Sequence, residues 1–333
     1  MEFKTPAKTF VKSKNSVKNI YLNYTYSLIG FIILLTILYL INDNNNLIFP
    51  LYKSIFISLV ISSIIQYIIN IINKKYNFLA IYTKDNTHII AIIIGLFGSN
   101  SSIIILSIAI FVSLLIKKIY KGINLSSTLY GILIIILYKY YNNSLITPLT
   151  NFNELANYGT FSQVIGNKKD VINYLIGINY LSPILSMISF IYLFHKKSIK
   201  YNIYISYLLT FSFIMLIHGI LNDMSLWFIF FELTSGNILF LSVYALTDYQ
   251  ITPTLAESQI LYGIILGIIS SILRFIIPEL SVIIPLILGP ILLTKLLDNL
   301  SPKLKYHKKT YNLLFITSII LIIITISILS IAY

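Results

Sequence analysis

Five carboxylates in the second half of the chain are the groups best placed to do chemistry. The sequence has only 11 acidic residues, and Glu232, Asp248, Glu257, Glu279 and Asp298 all fall inside or beside long apolar runs. A carboxylate within a bilayer is costly unless it is paired or hydrated, so such a residue points by default to an ion or proton path. Glu257 and Glu279 read more simply as helix-end residues in the interfacial layer, and Asp248 and Asp298 also stand at the ends of apolar runs. Glu232 differs. It sits in Phe228-Ile229-Phe230-Phe231-Glu232-Leu233, well inside a span. Glu232, Asp248 and Asp298 are therefore candidates for an ion pathway.

Other chemistries lack their residues. Cysteine is absent, which excludes disulfides, thiolate metal sites and Cys-ligated iron–sulfur clusters. His88, His195, His218 and His307 are scattered, with no pair at i, i+4 and no nearby acidic cluster, so no metal site is expected. The sequence contains neither a phosphate-cradling glycine loop nor a dinucleotide fingerprint. An independent catalytic site of the soluble kind is not expected.

The elements that must position the carboxylates are membrane spans. The 333 residues are 57% hydrophobic and 11% charged, with mean hydropathy +0.86, where a soluble domain carries about 25% charged residues. Apolar segments run at about 21–42, 51–72, 88–99, 101–116, 125–140, 171–194, 202–221, 226–246, 258–277, 280–297 and 310–332. Most are long enough to cross about 30 Å of hydrocarbon. The 88–99 segment is too short to span and contains Gly95 and Gly98. It reads as a half-helix, tolerated where protein covers its free backbone groups. The fold expected is all-α and polytopic, with about 10–11 transmembrane helices.

The net charge of +13 does not imply nucleic-acid binding, because the lysines cluster in short loops between spans. Lys74, Lys75 and Lys84, then Lys117, Lys118 and Lys121, then Lys196, Lys197 and Lys200, then Lys303, Lys305, Lys308 and Lys309 all fall on one side if the basic N-terminus is cytoplasmic and 88–99 counts as one crossing, as the positive-inside rule requires. The same reckoning puts the polar loop 141–170 outside, with Lys168 and Lys169 against the rule. No signal peptide is evident, so the first span is expected to serve as its own insertion signal. The organisation expected is a cytoplasmic N-terminus 1–20, a membrane repeat 21–140, the extracytoplasmic loop 141–170, a second repeat 171–298, and a basic loop with an extra helix over 299–333. Five segments per half put the two repeats in opposite orientations, a plan that places a functional site at the repeat interface.

The stretch 231–256 is the most distinctive. An apolar helix is interrupted by Thr234-Ser235-Gly236-Asn237 and closes on Ala245-Leu246-Thr247-Asp248, followed by Ile251-Thr252-Pro253-Thr254. Small polar residues let helices approach closely and supply hydrogen bonds in lipid. This block resembles the RnfD/NqrB family, which comprises a membrane component of the Rnf electron-transport complex and its relative in the sodium-pumping NADH:quinone reductase. That family has a Ser-Gly-Gly run, then Ala-Thr-Asp-Pro, then Thr-Ser-Pro-Thr at this spacing. The likeness continues through Leu261-Tyr262-Gly263 to Arg274, through Pro278-Glu279, and through Pro290 to Asp298. It also includes Lys12-Ser13-Lys14-Asn15-Ser16 near the N-terminus.

The resemblance implies a plasma-membrane subunit, similar in fold to urea-transporter-like channels, built as two inverted five-helix repeats. It implies an Rnf-type ion-translocating oxidoreductase in which electron transfer is coupled to Na+ or H+ transport. Its partners would be other membrane, flavin and iron–sulfur subunits, and a flavin transferase for maturation. The family carries FMN joined through its phosphate to a Thr hydroxyl in an extracytoplasmic loop. The matching position is Thr160, preceded by Gly159 where the family has Ala and followed by Phe161 where it often has Pro. Thr147 and Thr150 match less well. Ser235, Gly236 and Asn237 are carried over as cofactor-binding candidates. The family's Phe-Asn-Pro-Ala and Gly-Glu-Thr-Ser segments are replaced by Gly122 to Ser127 and by Gly177 to Ser182, which counts against a second, non-covalent flavin such as riboflavin. A flavin-free transporter or channel of the same fold, and a structural membrane anchor, are the alternatives.

Overall fold

A computed structural model describes residues 17–41, 45–72, 87–99, 101–119, 127–142, 181–221, 227–234, 237–248, 252–277 and 280–306. The first half forms α1 (Val17–Ile41), α2 (Ile48–Ile72), α3 (Thr87–Phe97), α4 (Ile103–Ile119) and α5 (Ser127–Tyr141). The second half forms α6 (Pro183–His195), α7 (Tyr201–Leu221), α8 (Trp227–Thr234), α9 (Ile238–Leu241), α10 (Ala256–Ile276) and α11 (Ile283–Tyr306). A π-helical turn, Ser242–Leu246, extends α9. Four stretches, Asn19–Ile41, Asn45–Ile69, Tyr201–Leu221 and Ala256–Ile276, are long and apolar enough to cross a bilayer. The chain is an all-α membrane protein.

The helices carry their polarity inward. On α2, Phe49, Tyr52, Phe56, Val60, Ile64, Tyr67 and Ile71 form an exposed apolar stripe at helical spacing. Ser54, Ser58 and Ser62 lie buried on another face. Water would favour the reverse arrangement. A bilayer favours this one, because lipid tails solvate the apolar stripe and the hydroxyls find partners on neighbouring helices. Ser54 Oγ donates to the Gly95 carbonyl at 2.8 Å, and Ser58 Oγ to the Ala91 carbonyl at 2.7 Å. Both carbonyls belong to α3. That helix has only 11 residues and is buried at every position but His88. The short segment is thus sheathed in protein, the condition under which a half-helix is tolerated at membrane depth.

The tightest crossing joins α7 to α10. Gly263 and Gly267, four residues apart, face Ser206 and Thr210, also four residues apart. A Cβ on Gly263 would lie 2.7 Å from the Ile203 carbonyl and 3.0 Å from the Tyr207 nitrogen. These glycines set the interaxial distance, as small-residue repeats do in membrane helix pairs.

The packing of the first half recurs in the second. α2 packs on α3 as α7 does on α8, α2 on α4 as α7 on α10, and α4 on α5 as α10 on α11. α1 meets α6, and α5 meets α11, across the boundary between the halves. Under this correspondence the short, continuous α3 takes the place of the broken α8–α9 segment. α11 continues to Tyr306, through residues that the sequence places in a basic loop. Residues 143–180, which include most of the expected loop 141–170, and residues 307–333 lie outside the described residues, as does the N-terminal 12–16 motif.

Candidate functional site

Buried polar chemistry gathers at the two ends of the broken segment. Before the break, Glu232 on α8 meets Arg274 on α10: Arg274 Nε donates to Glu232 Oε2 at 2.6 Å, and the two side chains are 4% and 3% exposed. Arg274 is the sole arginine of the chain. His218 of α7, also buried, has its ring 4.5 Å from that of Phe275 and 6.0 Å from that of Phe228. Tyr207 donates to Ser270 Oγ at 3.1 Å, one turn of α10 before Arg274.

At the break itself, Asn237 takes a left-handed conformation, φ 60° and ψ 21°. Asn tolerates this region better than most residues because its short polar side chain can bond locally. Its Oδ1 accepts from the Leu181 backbone nitrogen at 3.1 Å. Leu181 directly precedes Ser182, whose hydroxyl caps α6 by accepting from the Leu185 nitrogen at 3.4 Å. The break is thereby tied to the start of α6. Ser235 and Gly236 lie outside the described residues, as do Thr160 and Glu279.

Beyond the break, the π turn delivers Tyr244, Thr247 and Asp248 to α1. Single π turns inside α-helices occur frequently at functional sites. Tyr244 Oη and Ser27 Oγ are 2.7 Å apart, and Tyr24 Oη and Thr247 Oγ1 are 3.1 Å apart. Tyr21 Oη donates to Asp248 Oδ1 over a long 3.5 Å. Residues 21, 24 and 27 of α1 meet 248, 247 and 244 in reverse order, so the two segments run antiparallel. Asp248 is 1% exposed. Tyr24 and Tyr262 are within electrostatic reach of its carboxylate.

Residues 252–254 are clamped by Lys200 and by side chains from α10 and α11. Thr252 Oγ1 donates to the Asp248 carbonyl at 2.6 Å. Lys200, immediately before α7, donates to the carbonyls of Thr252 and Pro253 at 2.9 and 3.1 Å. Gln259 of α10 donates to the carbonyls of Pro253 and Thr254 at 3.1 and 3.2 Å, and accepts from Asn202 at 3.3 Å. Asp298 of α11 accepts from the Thr254 nitrogen at 3.1 Å and its hydroxyl at 3.3 Å. A Thr-Pro-Thr loop has few internal backbone bonds, because proline lacks an N–H. Side chains from its neighbours satisfy it instead.

The structure thus brings Asp248 and Asp298 to the two sides of one loop and puts Glu232 in a separate centre with Arg274. Glu257 lies half-buried in the first turn of α10. Sequence reasoning treats Lys200 as a topology marker and does not single out Tyr21 or Tyr24. The one signal for Lys200 is its place at the very start of a span, after Ser198-Ile199 rather than within the Lys196-Lys197 pair.

Fold and site together define a polytopic all-α membrane protein whose buried ionisable groups sit along a broken helix, the architecture of proteins that move ions or electrons across bilayers. A family profile described as NQR2, RnfD, RnfE matches residues 4–288, and the chain belongs to this family. Membership makes it a membrane subunit of an Rnf/Nqr-type complex. Direct comparison with curated proteins finds no match.

Proposed function

We propose that the chain carries FMN esterified through its phosphate to Thr160 and passes electrons within an Rnf-type complex, coupled to Na+ or H+ transport. The observation that carries this reading is the family match over residues 4–288, together with the buried block 245–248 and the clamped block 252–254, both family-like. Thr160 lies outside the described residues, and support for it is chemical: a hydroxyl is the atom a phosphoester needs, and Gly159 supplies a small residue before it, as in the family motif. FMN bound there supplies the redox chemistry, while the protein supplies position and polarity.

In this reading the N-terminus is cytoplasmic and loop 141–170 extracytoplasmic, by the distribution of lysines. The Asp248 centre then faces the cytoplasmic side and the Glu232–Arg274 centre the outer side. Asp248, Glu232 and Asp298 line or flank the cation path. Charge arriving on the flavin favours a cation within the membrane, because Coulomb interactions strengthen where the dielectric constant falls. Ser235, Gly236 and Asn237 contribute cofactor contacts.

The second reading is a flavin-free channel or transporter of the same fold, in which the buried carboxylates Glu232 and Asp248 serve a cation path without a redox group. Covalent flavin on the denatured chain, lost on Thr160→Ala, separates the two.

A further inference from the structure

Lys200 belongs by sequence to a basic surface loop, yet its side chain turns inward. It is 8% exposed, and its ammonium donates to the Thr252 and Pro253 carbonyls at 2.9 and 3.1 Å. Those carbonyls belong to the loop that Thr252 ties to the Asp248 backbone. Burial outweighs the opposing pull of the Asp248 and Asp298 carboxylates and leaves the Lys200 amine lowered to about 8. The carboxylates facing it are Asp248 from the end of the broken helix and Asp298 from α11. Around Asp248 stand the phenols of Tyr21 and Tyr24 from α1 and Tyr262 from α10.

An ammonium is a compact point charge with rotatable donors. Its ligands here are backbone carbonyls backed by carboxylates. Carbonyl oxygens are also what replaces the water shell of an alkali cation in membrane filters. The loop that offers them is held open by Gln259 and Asp298 rather than by Lys200 alone.

We propose that the Lys200 ammonium is a tethered cation occupying a carbonyl–carboxylate site fit for a monovalent metal ion, so that Na+ or K+ enters only when this side chain is withdrawn. The lysine thereby reserves the carbonyls of Thr252 and Pro253 beside Asp248. The inference rests on reading Asp248 as part of a cation path, and it is independent of flavin attachment.

The test uses the full chain in detergent micelles, with thermal unfolding followed in NaCl, KCl or choline chloride at equal ionic strength and neutral pH. In Lys200→Met the midpoint rises saturably with Na+ or K+ but not with choline, because a ligand that binds only the folded state stabilises it. Asp248→Asn in the Lys200→Met background abolishes that rise. Lys200→Arg, which keeps a fixed cation, responds like the native chain. Should Lys200→Met fail to fold in every salt, Lys200→Gln, whose amide still donates to a carbonyl, carries the same comparison. The proposal is overturned if the variants gain no cation response over the native chain, or if the gain survives Asp248→Asn.

Discussion

Arg274 on α10 and Glu232 on α8 form a charge pair at 2.6 Å, both nearly inaccessible, joining the first half of the broken helix to α10. α8 has eight residues, too few for a helix to be stable by itself. The pair supplies a strong fixed point between it and the rest of the bundle.

Breaking such a pair by removing one partner leaves a buried charge uncompensated, at a cost of about 3–5 kcal/mol. Glu232→Gln and Arg274→Met should each lower the thermal midpoint in detergent markedly. The Glu232→Met, Arg274→Met double variant should recover most of the loss. A double variant no better than the worse single one would mean that the pair is not the operative contact.

Gly263 and Gly267 should tolerate nothing larger than hydrogen. At Gly267 a Cβ would meet Thr210 and come within 3.0 Å of the Tyr207 carbonyl. Overpacking of this kind costs about 1–3 kcal/mol, so Gly267→Leu should lower the thermal midpoint and loosen the α7–α10 crossing. Gly30 is the contrast. It lies inside α1, and a Cβ added there would meet nothing within 4 Å. Gly30→Ala should therefore stabilise by about 0.5–1 kcal/mol. Opposite signs at the two sites are the expected outcome of parallel melting curves.

Lys200 should impose a pH dependence above neutrality. Its folded value of about 8 lies below its ordinary 10.5. Between those values the unfolded chain binds the proton that the folded chain has released, so stability rises with pH across this window. Lys200→Arg stays charged throughout. The stability of the native chain relative to Lys200→Arg should therefore grow as pH increases from about 8 to about 10. A difference that is flat across that range would show that the amine is not depressed.

Asp298 should matter through the loop it holds. It accepts two hydrogen bonds from Thr254 at a partly exposed site, where a bond to a charged group is worth at most about 1.5–3 kcal/mol before solvent screening. Asp298→Ala should speed amide hydrogen exchange in the segment around residues 252–255. Asp298→Asn keeps an acceptor oxygen and should do so less. Equal, unchanged exchange in both variants would remove Asp298 from the clamp.

Local features of the fold are legible in the sequence. The short α3 follows from an apolar run too brief to span, bounded by Thr87 and Gly98. The break after Thr234 follows from the Ser-Gly-Asn run that comes next. Partnerships between distant residues are not legible. Glu232 and Arg274 are 42 residues apart, and hydropathy says only that a carboxylate in lipid needs a partner. Lys200 is harder still, because a lysine beside a span reads as a surface charge. Nothing local shows that the carbonyls of a Thr-Pro-Thr loop 52 residues later will draw it inward. Asp298 stands at an apolar run's end by sequence, but its bonds to Thr254 depend on how α11 packs on α10.

The central claim is that this chain is a flavin-carrying subunit, and in-gel fluorescence of the denatured protein tests it most directly. The chain is co-expressed with a flavin transferase, unfolded, separated by electrophoresis and illuminated for flavin emission beside a protein known to be flavinylated. The account predicts a fluorescent band for the native chain and for Thr147→Ala, and none for Thr160→Ala. A dark native band beside a bright control, or fluorescence that persists in Thr160→Ala, would contradict it.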